Sequence, residues 1–195
     1  MILKIHITLL LALLYNLYIS KKSIFFIAYL FIIMHELSHM IVALLLNVDI
    51  QEITLLPFGA TARYIGKINP LKEFLIAIAG PFATLIFAFF YHHDTYFKVN
   101  ILILLFNLIP IYPLDGGRIL KVILIFIFKN KWGNRIHEYC NKLILFLFII
   151  FAIYLLIKYK NISFLVISLY VLKISREEMK KDKALKRINY LQIDK

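Results

Sequence analysis

Residues 24–46 are apolar almost throughout, and the interruption falls in the middle. IFFIAYLFIIM leads into His35-Glu36-Leu37-Ser38-His39, and MIVALLL follows. A stretch of this length without Pro or Gly reads as a helix long enough to cross a bilayer. Two imidazoles and a carboxylate then lie where hydrocarbon is the expected solvent, and ionisable groups at such depth mark functional sites. Positions i and i+4 share one helix face, so His35 and His39 can grip one metal ion. Glu36 is placed to handle a proton on a metal-activated water. The pattern implies a metal-assisted hydrolase built into a membrane.

The rest of the chain agrees with that setting. Hydrophobic residues make up 62% of 195 positions and mean hydropathy is +0.83, against roughly 45–50% apolar content in soluble domains. One soluble core of this size cannot hide that excess, so the expected class is an all-α polytopic membrane protein. The single cysteine, Cys140, excludes an internal disulfide, and no CxxC or Cys/His cluster is present. A net charge of +12 comes without an aromatic-plus-basic motif for reading bases, so nucleic acid is not an expected partner. The lipid bilayer is.

Apolar runs suggest about six transmembrane helices, at 3–20, 23–46, 71–91, 98–128, 141–157 and 161–174. Residues 5–19 lack a small-residue cleavage pattern and read as a retained span rather than a signal peptide. The fourth run is too long for one helix and holds Pro110, Pro113, Gly116 and Gly117. It is expected to be two helical pieces joined at a site, since irregular backbone survives in a membrane only against protein or a water-lined cavity. With six spans, most of the 23 Lys and Arg residues fall on the side that holds both termini, which the positive-inside rule makes cytoplasmic. Residues 49–66, DIQEITLLPFGATARYIG, break the helical pattern. They read either as a connecting loop or as a short membrane-associated β-hairpin turning at Pro57-Phe58-Gly59, with a strand edge able to hold an extended peptide.

Two histidines leave a catalytic metal short of a ligand, because three protein groups are usual and the fourth position stays open. His6, His92, His93 and His137 read as solvated or interfacial side chains. Asp115 is the stronger candidate: it is the lone carboxylate of the fourth run, in Asn107-Leu108-Ile109-Pro110-Ile111-Tyr112-Pro113-Leu114-Asp115-Gly116-Gly117. A carboxylate there needs a partner such as a metal. The alternative is a cap on a helix beginning at Gly116. Depth agrees with the metal reading, since His39 lies roughly 10 Å from the cytoplasmic end of its helix at 1.5 Å per residue, and Asp115 precedes the basic cluster that starts at Arg118.

His35–His39 in one span with Asn107, Pro110, Asp115 and Gly116 in a later one resembles the site-2 protease family of intramembrane zinc metalloproteases. Further matches are Lys4-Ile5-His6, Leu55-Leu56-Pro57-Phe58-Gly59 and Ala79-Gly80-Pro81, and together they look like the family's stage IV sporulation protein FB branch. The resemblance covers nearly all of the membrane part. It implies one Zn2+ per chain on His35, His39 and Asp115, with Glu36 as general base. Asn107, Pro110, Phe58 and Gly59 are the implied substrate contacts. For Asn107 a second reading stands beside this, an amide satisfying helix backbone freed near Pro110, and Gly80-Pro81 reads as close helix packing rather than chemistry.

By the same resemblance the substrate is a membrane-associated protein, a pro-sigma factor such as pro-sigma-K during sporulation. Inhibitory membrane proteins are the expected partners, and the membrane surrounding the forespore the expected location. Residues 1–174 are expected to form the protease domain, with a core at about 23–128. Residues 175–195 read as a short charged cytoplasmic tail with no CBS or PDZ domain. A membrane metal or ion carrier using the same His, His and Asp is the competing function.

Overall fold

The computed structural model describes residues 2–5, 24–56, 59–64, 68–90, 94–160 and 162–193. These fall into two units, Met1–Leu108 and Ile109–Lys195.

In the N-terminal unit, helix α1 (Ile24–Leu45) is stopped by Asn47, which adopts a left-handed φ of 51°. Asn47 N–H bonds the Leu44 carbonyl at 3.0 Å and Val48 N–H bonds the Ala43 carbonyl at 2.9 Å. That is the Schellman pattern, and it satisfies carbonyls a helix end would otherwise orphan. Val48 then joins Ala43, Ile50 and Ile76 in a buried apolar cluster. The chain leaves the helix directly into strand β2 (Ile50–Leu56), which pairs antiparallel with β3 (Gly59–Tyr64) and parallel with β1 (Ile2–Ile5). The sheet order is β1-β2-β3. Residues 3–5, read above as the start of a membrane span, therefore belong to a strand. The β-branched Ile2 and Ile5 suit an edge position as well as a helix, and an apolar run this short does not separate the two. The remainder of that expected span lies outside the described residues.

Helix α2 (Pro70–Phe90) opens with Asn69, whose Oδ1 accepts the Leu71 N–H at 3.0 Å, then Pro70 and an acidic Glu73 in the first turn. Side-chain cap, proline at the first position and early acid are each favourable at a helix N-terminus. Lys72 Nζ donates to the Leu46 carbonyl at 2.7 Å and ties the start of α2 to the end of α1. Helix α3 (Asp94–Asn107) packs against both α2 and α1.

In the C-terminal unit, helix α4 (Asp115–Tyr159) is interrupted at Lys129 (φ 62°, ψ 165°), and α5 (Ile162–Ile193) packs against it. Residues 129–140, expected as a basic loop, are thus mostly helical. Cationic side chains fit a helix as well as a loop, and one backbone break at Lys129 suffices for the change of direction. The expected break in the long run 98–128 falls at 108–114, between the end of α3 and the start of α4. Pro110 has no N–H to continue the ladder, in which the bond from the Leu108 N–H to the Leu104 carbonyl is the last one seen.

Among the described residues three helical stretches are long and apolar enough to cross a membrane, Ile27–Leu45, Pro70–Phe90 and Lys131–Tyr159, and Thr95–Asn107 is a shorter apolar helix. The run 161–174 lies in α5, where Lys173 and the charged residues after it cut the apolar stretch short. Polar side chains are buried in both units while many large apolar ones are exposed: His35, Thr84, Asn141 and Ser175 are buried, and Leu45, Phe89, Phe90 and Ile157 are about three-quarters exposed. A lipid-facing exterior explains the exposed apolar side chains.

Candidate metal centre

Helix α1 buries Phe31, His35, His39 and Ala43, a spacing of four that keeps both imidazoles on one face. Helix α2 buries Ile76, Gly80, Thr84 and Ala88 at the same spacing. The His35 and His39 rings meet edge to face, with centroids 4.9 Å apart, and their Nε2 atoms lie 3.2 Å from each other. Two imidazole nitrogens about 2.0–2.1 Å from a tetrahedral zinc stand about 3.3 Å apart, so the pair already has the spacing of two zinc ligands.

The other ring nitrogens point to α2. His39 Nδ1 lies 2.6 Å from the Ile76 carbonyl. A carbonyl can only accept, so Nδ1 carries the hydrogen and the ring's lone pair lies on Nε2. His35 Nδ1 lies 2.8 Å from Thr84 Oγ1. Between these contacts sits Gly80, where a Cβ would run into Nε2 of both histidines. Glycine at 80 lets both nitrogens lie against the helix backbone, in a cradle that a Cβ would fill. Its role is more specific than the helix packing expected from the sequence.

Asp115 is buried in the first turn of α4, where the unpaired N–H groups of a helix end stabilise negative charge. The residue ahead of the helix is Leu114, which provides no side-chain cap. The helix therefore begins at Asp115 itself rather than at Gly116, and Asp115 is not its cap. Arg118 Nη1 lies 3.9 Å from Asp115 Oδ1. The loop before Asp115 is held by side chains. Tyr112 N–H donates to Asn141 Oδ1 at 2.7 Å, and Asn141 Nδ2 donates to Ser175 Oγ and Met179 Sδ, each at 3.0 Å. Gly117 lets the loop backbone at Ile111 and Tyr112 pack closely, since a Cβ there would meet both.

His137 corrects its expected role. It is buried, donates Nε2–H to the Gly117 carbonyl at 3.2 Å and meets the Tyr112 ring edge to face. It supports this loop instead of facing solvent. The basic residues around it suggested a loop, but they mark a helix with one buried side. Thr84, Asn141 and Ser175 carried no sequence signal, because a hydroxyl or amide in an apolar helix has no motif of its own.

His35 and His39 are buried in the first unit and Asp115 in the second; two imidazoles and a carboxylate are groups that a zinc ion takes as ligands. Glu36 is half-buried beside His35. Asn107 Nδ2 donates to the Ile103 carbonyl at 3.1 Å, four residues back, whereas the carbonyl that Pro110 leaves without its helical donor is that of residue 106. Phe58 lies outside the described residues, as do His6, His92 and His93, and Gly59 begins β3.

The profile of Peptidase family M50 matches residues 23–93 and 94–151. The chain belongs to this family. A zinc metalloprotease of Methanocaldococcus jannaschii is 32% identical over 86% of the chain and 55% of its own length. Stage IV sporulation protein FB of Bacillus subtilis is 36% identical over 47% of the chain and 36% of its own length. The chain thus spans about half or less of these curated relatives. The solved site-2 protease from Methanocaldococcus jannaschii superposes with a TM-score of 0.66 at 28% identity, covering 90% of this chain and 89% of that one.

Proposed function

We propose that the chain is an intramembrane zinc metalloprotease that cleaves a membrane-associated protein near the cytoplasmic face, with His35, His39 and Asp115 as zinc ligands. The observation that carries the reading is the buried pair of His35 and His39, with Nε2 atoms 3.2 Å apart, in a member of Peptidase family M50; Asp115, buried in the second unit, completes the proposed ligand set. Zinc, when bound, polarises a carbonyl and acidifies a water. Glu36 follows His35 on the metal-facing helix and serves as general base: it takes a proton from the attacking water and returns it to the leaving amine. Asn107, Pro110, Phe58 and Gly59 are assigned to the substrate, Asn107 through its amide and Gly59 at the start of β3, where an extended peptide can add to a sheet edge.

The finer assignment is processing of a pro-sigma factor such as pro-sigma-K, in the membrane surrounding the forespore and under the control of inhibitory membrane proteins. Its support is the likeness to stage IV sporulation protein FB. About six spans with both termini cytoplasmic, a protease domain at 1–174 and a charged tail at 175–195 complete the proposal. Co-expression with a candidate pro-sigma factor tests it. Wild type is expected to shorten the precursor, and Glu36→Gln to leave it intact while retaining zinc. Equal conversion by both removes the mechanism, and a zinc flux that survives Glu36→Gln points to a carrier.

A further inference from the structure

Thr84 occupies the interior of an apolar helix, and its hydroxyl is committed on both sides. Its hydrogen goes to the Gly80 carbonyl at 2.9 Å, four residues back. A hydroxyl has one hydrogen, so toward His35 Nδ1, 2.8 Å away, the oxygen can only accept. That contact requires the hydrogen on Nδ1 of His35 and leaves its lone pair on Nε2. The Ile76 carbonyl imposes the same form on His39. Both lone pairs then face each other across 3.2 Å, an arrangement that repels unless a cation lies between them. Ile76, Gly80 and Thr84 form one stripe of α2 with three duties: a carbonyl acceptor, a cradle and a hydroxyl acceptor.

From this we infer that Thr84 is a positioning residue, fixing the tautomer and ring orientation of His35 for metal binding; the inference rests on His35 being a zinc ligand. The β-branched side chain suits the task. In a helix its Oγ1 is held by the carbonyl four residues back, so the remaining lone pair has a set direction. Of the two acceptors behind the histidines, Thr84 is the one that a substitution can remove, since Ile76 acts through its backbone.

The test measures zinc affinity of the full chain in detergent, by competition with a chromophoric chelator. Thr84→Val keeps the shape and loses the oxygen, and is expected to weaken zinc about 10–100-fold. Thr84→Ser restores the oxygen and is expected to stay within about threefold of wild type, the same order as context effects on an outer contact. Wild-type affinity in Thr84→Val, alongside lost affinity in His35→Ala, overturns the inference. Unchanged affinity in His35→Ala overturns the ligand assignment beneath it. An independent reading needs no variant: 15N chemical shifts of His35 in the metal-free protein are expected to show hydrogen on Nδ1. Hydrogen on Nε2 sinks the proposal.

Discussion

In the N-terminal unit, the two proposed histidine ligands stand mid-helix and are steadied by a second helix, through a hydroxyl and a backbone carbonyl. In the C-terminal unit, the proposed third ligand, Asp115, follows a loop broken by Pro110 and Pro113, and that loop is steadied by the amide of Asn141 and the ring of His137. The first arrangement takes its precision from helix register. The second takes it from a few side chains that satisfy backbone which cannot satisfy itself. Regular structure keeps its backbone bonds when one outer contact is lost, so the loss is felt at the ring it held; an irregular loop in an apolar setting depends on each contact for its own shape, because an unpaired N–H away from water costs about 1–3 kcal/mol.

The comparison can be broken most sharply at the ligands. His35→Ala and Asp115→Ala are each expected to abolish zinc retention, measured by metal analysis of the purified protein. Glu36→Gln should keep a full equivalent and lose about 10²–10⁴-fold in cleavage rate. If Asp115→Ala keeps its zinc, the C-terminal unit contributes no ligand and the contrast between the units has no chemical meaning. Next comes Gly80→Ala, whose methyl enters the cradle. It is expected to lower zinc affinity by more than about tenfold, at least the effect of losing an outer contact, with helix content by circular dichroism unchanged. Normal affinity would show that the two Nε2 atoms do not face Gly80 when metal is bound.

Smaller effects sharpen the loop side. Asn141→Leu strands the Tyr112 N–H and is expected to cost about 1–3 kcal/mol, seen as a lower thermal midpoint with activity reduced in parallel. Asn141→Asp keeps the acceptor and should recover part of the loss. His137→Phe should retain the ring contact with Tyr112 and lose only the bond to the Gly117 carbonyl. Its expected cost is about 0.5–1.5 kcal/mol, and a change larger than that of Asn141→Leu would reverse the ranking of the two supports.

Legibility in the sequence followed the same division. The shared buried face of His35 and His39 was readable because a spacing of four has one meaning on a helix, and the burial of Asp115 because a carboxylate in an apolar run needs a partner. The break at 108–114 followed from proline chemistry alone. What holds these ligands was not readable. Thr84 looks like any hydroxyl in an apolar helix, and the Ile76 carbonyl belongs to the backbone, which every residue has. Asn141 opened an expected span, next to residues 129–140, which the apolar runs left between spans and which are mostly helical. Residues 3–5 were misassigned because their pairing partner, β2, is some fifty residues away in the chain, beyond the reach of local pattern.

The bond from Lys72 to the end of α1 and the Asn69–Pro70 start of α2 fix where the second helix begins counting. Each residue advances a helix by about 100°. One residue inserted between Lys72 and Ile76 would turn the stripe of Ile76, Gly80 and Thr84 by that angle, replacing the cradle with a larger side chain while leaving composition, length and hydropathy almost untouched. The metal face therefore behaves like a vernier, with its zero set at the Lys72 contact and its reading taken a turn or more away.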